Sequence, residues 1–312
     1  MDMASGYLAM IATLLLWSGF FLSLRSGAHS DLLTADIALT RFLIPCVVLL
    51  PLVYQSRHQI LAVPKRYLLG MFLGSGLPYL LVAGTGMTLA PVSDGSALVP
   101  GTLPLFVSGI AVILFKQPLS NHRIVGLAIV VIGILAFLTQ SMNQANSQLL
   151  QGQLLFLTGS MMWAVFTICA RVSNLNPLAA SGLIALMSTL ALCLLVISGG
   201  LDSYLYTHAI EAWPLDQLTG HVMLQGVGAG IIAAFTYLHA ISVLGAERTA
   251  AFGAATPAVA TLLAIPLFAE QPTPVGWLAL SLICVGSLIA SNILMKKDDS
   301  LQYQPPSFKR KA

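Results

Sequence analysis

Trp17-Ser18-Gly19-Phe20-Phe21-Leu22-Ser23-Leu24-Arg25 returns in the second half of the chain as Trp163-Ala164-Val165-Phe166-Thr167-Ile168-Cys169-Ala170-Arg171, with tryptophan and arginine at the same spacing. The chain is therefore written twice. A second set of matches links the later parts of the two halves at an offset of 153: Asp94 with Glu247, Pro104 with Pro257, Leu114-Phe115 with Leu267-Phe268, Gln117 with Glu270, and Gly133 with Gly286. The first set has an offset of 146, so seven extra residues separate the two sets, and the long connection 200–218 is the natural place for them. In an apolar chain, such a repeat points to two similar halves that rock about a shared site.

Only 8% of the residues are charged, against roughly 25% in soluble domains, and the mean hydropathy is +0.88. A soluble fold of this size has too little interior for so much apolar side chain, whereas helices facing lipid do not have to hide it. The net charge of +3 gives no basis for a nucleic-acid partner. Cys46, Cys169, Cys193 and Cys284 lie in apolar runs without paired spacing and read as packing residues. No Cys/His cluster has metal-ligand spacing, so neither a metal nor a cofactor is expected. Residues 7–24 lack a preceding basic region and read as a retained helix, not a signal peptide.

Ten apolar segments of about 20 residues can each cross a hydrocarbon core of about 30 Å: 7–24, 35–54, 67–88, 93–114, 122–140, 151–171, 177–199, 220–244, 248–268 and 274–295. One set of connections, with the tail, carries twelve Lys and Arg; the opposite set carries only Arg25. The positive-inside rule then places both termini in the cytoplasm. Five helices per half is an odd number, so the second half enters the membrane inverted. The expected fold is an all-α polytopic membrane protein with two inverted five-helix repeats, 1–145 and 146–295, around a central cavity. The basic tail 296–312 reads as disordered.

The ordered set of Trp17-Ser18-Gly19-Phe20 with Arg25, Arg41-Phe42, Trp163-Ala164 with Arg171, Gly245-Ala246-Glu247-Arg248, Pro257 and Ala269-Glu270-Gln271-Pro272-Thr273 resembles the EamA family of the drug/metabolite transporter superfamily. The resemblance covers nearly the whole chain. It implies helices 1–4 and 6–9 around the cavity, helices 5 and 10 outside it, and export or exchange of small metabolites, often amino acids.

Individual residues sharpen the expectation. Arg41 sits inside the second helix, where a charge costs about 2.5–3.5 kcal/mol on insertion scales, so it faces a cavity or a partner, or else reaches the headgroups. Asp36 and Asp94 are its candidate partners. Trp17, Tyr79, Trp163 and Tyr237 lie deep in their helices, unlike interfacial aromatics, and read as cavity lining or as helix packing. His239, near mid-span, reads as a cavity residue or as a neutral histidine bonded to a neighbouring helix. Arg25 with Asp94 and Arg171 with Glu247 form two hypothetical gate pairs, one at each end; the plainer reading is interfacial charge. Pro104 and Pro257 read as matched kinks.

The chain therefore reads as a secondary transporter in the inner membrane, driven by a gradient because no nucleotide motif is present. An exporter of amino acids or related compounds is the leading expectation. A broad exporter of apolar compounds and a non-transporting scaffold or receptor are the alternatives. An enzyme is not expected, since buried acid–base groups are too few. The partners are a small metabolite and lipid, and one chain suffices because it holds both halves.

Overall fold

In lipid, an apolar run of this length satisfies its backbone only by coiling, and any break must find its hydrogen bonds elsewhere in the protein. The computed structural model describes residues 3–291, without the side chains of residues 246, 247, 250 and 251. The tail expected to be disordered, 296–312, lies outside the described residues. The described residues form helices throughout: α1 Met3–Ala28, α2 Thr34–Gln55, α3 Arg57–Ala62, α4 Lys65–Ser75, α5 Leu77–Leu89, α6 Val92–Leu98, α7 Leu103–Phe115, α8 Asn121–Asn143, α9 Ser147–Ser173, α10 Pro177–Ile197, α11 Tyr204–Thr207, α12 Leu215–His221, α13 Ala233–Leu244, α14 Ala246–Gly253, α15 Thr256–Phe268 and α16 Pro274–Ala290. A π-helical stretch, Val222–Ile232, joins α12 to α13.

Eight segments among these are long and apolar enough to cross a membrane: α1, α2, Lys65–Leu89, Val92–Phe115, α8, α9, α10 and Leu215–Leu244. The chain is a multi-pass membrane protein. The last two of the ten expected spans are apolar but shorter, because a turn at residues 254–255 starts α15 late and α16 ends at Ala290, with Ser291 extended.

Helices pack across the two halves. α1 lies along α13, α9 along α4 and α5, α2 along α10, and α8 along α16. The α8–α16 contact is the most extensive. A Cβ on Gly126 would stand 2.6 Å from the Gly286 carbonyl oxygen, and one on Gly286 would stand 2.7 Å from that of Gly126. Gly133 meets Ala279 and Ile283 in the same way, so the two helices run antiparallel, backbone against backbone. Small residues permit this approach, and dispersion over the contact then holds the pair together without a hydrophobic driving force.

The interior helices are broken, and side chains from within the protein meet several of the breaks. Helix α6 stops at Leu98; Pro100 and Gly101 interrupt it, and α7 resumes with Pro104 in its first turn, where its missing N–H is harmless. The freed Leu98 carbonyl accepts from Thr102 Oγ1 at 2.6 Å, and that of Gly101 accepts from Ser287 Oγ. The break before α15 matches it: Pro257 stands in the first turn, and Ser96 Oγ donates to the Pro257 carbonyl at 3.4 Å. At the α4–α5 junction, Leu77 N–H donates to Ser188 Oγ of α10 at 3.0 Å. Asp36 anchors the long connection, accepting from Ser203 Oγ at 2.6 Å and from Tyr204 N–H at 3.0 Å.

Larger side chains at the α8–α16 crossing force the helices apart. Gly126→Leu and Gly286→Leu are expected to lower stability by about 1–3 kcal/mol, as overpacking does elsewhere. Gly109→Ala, where nothing lies within 4 Å, is expected to be neutral or stabilising. Denaturation of the detergent-purified protein measures all three.

Candidate functional site

Arg41 lies two turns into α2, about 10 Å from its start at 1.5 Å per residue. The side chain points inward, with its guanidinium 5.5 Å from the centre of the Phe20 ring of α1. Its Nη1 donates to the Gln225 carbonyl at 3.0 Å. Gln225 belongs to the π-helical stretch, whose i→i+5 pattern leaves backbone acceptors out of register with an α-helix. The Gln225 side chain bridges back to α1, with Nε2 donating to the Phe20 carbonyl at 3.1 Å. The glycines of this stretch let α2 come close: a Cβ on Gly226 would strike Thr40, and one on Gly230 would strike Pro45.

Two adjoining hollows share Arg41, Trp17, Phe42, Ser75 and Ala229. One, of about 220 Å³, is completed by residues including Phe166, Ser181, Ile184 and Tyr237. The other, of about 70 Å³, is completed by Phe20, Phe21, Tyr79, Leu80 and Trp163. Each tryptophan of the repeated motif packs on a tyrosine from the other half. Trp17 lies 5.0 Å from Tyr237, and Trp163 meets Tyr79 edge-on at 5.7 Å. The Tyr79 ring is buried and its hydroxyl has no hydrogen-bond partner among the described residues.

The structure thus brings Trp17, Arg41, Tyr79, Trp163 and Tyr237 together and leaves His239 apart. His239 lines neither hollow; its Nε2 shares a 3.2 Å hydrogen bond with Ser5 Oγ near the start of α1. Two residues along a helix is about 200° of rotation, so His239 faces away from Tyr237. Arg41 pairs with neither expected acid: Asp36 holds the long connection and Asp94 faces another network.

The expected Arg25–Asp94 gate is likewise replaced. Arg25, at the end of α1, forms its ion pair with Glu270, and its Nη1 donates to the Met87 carbonyl at 2.6 Å. The other Glu270 oxygen accepts from Val92 N–H, at the start of α6, at 2.9 Å. One carboxylate therefore ties α1, the α5–α6 junction and the turn before α16 into a latch. A negative charge at a helix start is favourably placed. Asp94 is buried beside it, accepting from Ser93 Oγ at 2.9 Å and from Gln153 Nε2 at 2.7 Å, while Gln153 Oε1 accepts from Ser141 Oγ at 2.9 Å. Arg171 ends α9. The pairing expected for it cannot be followed, because the Glu247 side chain lies outside the described residues.

Sequence reading missed Phe20, Phe42, Phe166, Gln225 and Glu270. Glu270 had a signal: it is the acidic twin of Gln117, and both follow a helix end in left-handed conformation, at Lys116 and Ala269.

A profile of the EamA-like transporter family matches residues 4–139 and again residues 150–292. The chain belongs to this family. The two EamA matches cover the two halves marked by the repeated tryptophan and arginine. A solved crystal structure, described only as that of a protein, superposes on the chain with a TM-score of 0.60 at 18% identity, over 95% of this chain and 100% of that one. That likeness is one of fold. No curated protein matches the chain.

The latch carries a measurable coupling. Arg25→Ala and Glu270→Ala are each expected to destabilise the protein by about 1.5–3 kcal/mol, the range for hydrogen bonds to charged groups. In the double variant the losses should fall short of additive by about 1 kcal/mol or more. Unfolding of the four proteins in detergent completes this cycle.

Proposed function

We propose that this EamA protein is a secondary transporter that exports small organic metabolites, amino acids or related compounds, across the inner membrane by alternating access. The observation that carries the reading is the cavity, whose lining comes from both halves and whose two Trp–Tyr contacts each join one half to the other. A site shared between two bundles changes its exposure when they rock.

Ten crossings in two inverted halves, 1–145 and 146–295, accommodate this motion within a single chain. The α8–α16 contact supports the inversion. The pairs Gly126–Gly286 and Gly133–Ala279 exchange into one another under the 153-residue offset, as expected of an axis through that contact. The matched left-handed caps at Lys116 and Ala269, and the matched prolines Pro104 and Pro257, share that offset. Both termini then lie in the cytoplasm, and the Arg25–Glu270 latch lies at the outer end. Ser181, one turn into α10, carries the larger hollow toward the inner end. We read this state as inward-facing.

The aromatic lining also favours a second reading, a broad exporter of apolar compounds; that reading gives Arg41 no role. Reconstituted in liposomes, the protein is expected to show counterflow of one class within a mixed pool of labelled amino acids and metabolites, lost in Trp163→Ala. Uptake undiminished by that substitution would place the path elsewhere, and uptake undiminished by Arg41→Gln would favour the apolar exporter.

A further inference from the structure

The charge inventory of the cavity is lopsided. Arg41 brings a guanidinium with five N–H donors, and among the described residues one hydrogen bond engages it, to the Gln225 carbonyl. No described carboxylate lies within ion-pair distance of Arg41, and none lines either hollow. The acids nearest in sequence are committed elsewhere: Asp36 to the Ser203–Leu205 segment, and Asp94 to Ser93 and Gln153. The Tyr79 hydroxyl, buried in the same lining, also lacks a partner. The remaining surface is largely ring faces and small residues.

From this we infer that the site takes organic monocarboxylates with an apolar or aromatic body and no free ammonium group. The inference rests on the transport reading and narrows its substrate. A partly buried cation without a counter-ion is unfavourable, and a bidentate carboxylate fits the guanidinium fork. The Tyr79 O–H is a further donor for such an anion. A free amine meets repulsion from Arg41. An α-amino acid gains the carboxylate contact but must strip its ammonium of water with no anionic acceptor among the described lining residues, and ring faces return only part of that loss. A neutral compound leaves Arg41 unpaired. Acids related to amino acids in which the amino group is missing or acylated satisfy both the cation and the rings.

The test uses three compounds that share one phenyl ring: 3-phenylpropanoate, phenylalanine and 2-phenylethylamine. Equilibrium dialysis of each labelled compound against the detergent-purified full chain reads binding without passive leak. The expected order is 3-phenylpropanoate first, by about tenfold or more over phenylalanine, with the amine last. Arg41→Gln should abolish the preference and Arg41→Lys should keep it in weakened form. Tyr79→Phe should weaken the carboxylate by about threefold to tenfold, the worth of one hydrogen bond. Should Arg41→Gln fail to fold, the Lys and Phe variants carry the test. Phenylalanine or the amine binding as well as the carboxylate would overturn the assignment, and so would a carboxylate preference left intact by Arg41→Gln or, where that variant does not fold, one weakened by neither Arg41→Lys nor Tyr79→Phe. Binding of none of the three, by a protein that still exchanges the mixed metabolite pool, overturns the anion assignment alone. Failure to exchange that pool as well overturns the transport reading beneath it.

Discussion

A backbone in hydrocarbon has no water to fall back on, and that constraint orders the whole molecule. The helices of the α8–α16 pair run unbroken over their described lengths. Several interruptions are met by a hydrogen bond from another helix. Ser287 serves the break after Leu98, Ser188 the α4–α5 junction, and Arg41 the π-helical stretch, while Ser96 reaches into the first turn of α15. Each repair crosses from one element to another, so the same bonds that satisfy the backbone also fix the interior helices around the cavity. Arg41 is the exceptional case. A serine or threonine hydroxyl repairs a carbonyl at little electrostatic cost, whereas a guanidinium brings a charge with it, and that charge gives the cavity its chemical character.

The two arginines divide the work between them. Arg25 is neutralised by Glu270, and the pair is spent on holding one end of the bundle together. Arg41 faces an open hollow and keeps donors in reserve. A latch at one end and an unbalanced charge in the middle fit the alternating access proposed above. The first can be made and broken; the second can be met by a solute only when the path is open.

Much of the fold was legible because membrane helices are written in composition and because the repeat keeps its spacing. Trp17 and Trp163, Pro104 and Pro257, and Gly133 and Gly286 are matched in sequence, and the structure gives each pair matched surroundings. Depth alone left the aromatic residues open between cavity lining and helix packing; the structure sets Trp17, Tyr79, Trp163 and Tyr237 along the two hollows. Polar partners were not legible in this way. Asp94 stands at the right depth for Arg25 but is turned toward Gln153, while Glu270 comes back to the bundle from beyond the end of α15 through a left-handed turn at Ala269. Side-chain direction and loop path decide such pairs, and neither is carried by spacing. His239 was placed by depth, although its angle around the helix sets it behind Tyr237. The π-helical stretch left only a trace, the cluster Gly226, Gly228 and Gly230, which reads equally well as packing.

The central claim is that the latch holds the cavity shut at one end while the other end stays open. Sided labelling with a membrane-impermeant maleimide tests it most directly, in protein whose native cysteines have been replaced. Ser181→Cys, at the inner reach of the larger hollow, and Phe21→Cys, at the opposite reach of the smaller one, serve as the two reporters. The account predicts that the first labels only from the cytoplasmic face, and that the second labels from the opposite face only when Glu270→Ala breaks the latch. Labelling of Phe21→Cys from that face at the same rate with Glu270 intact would contradict it.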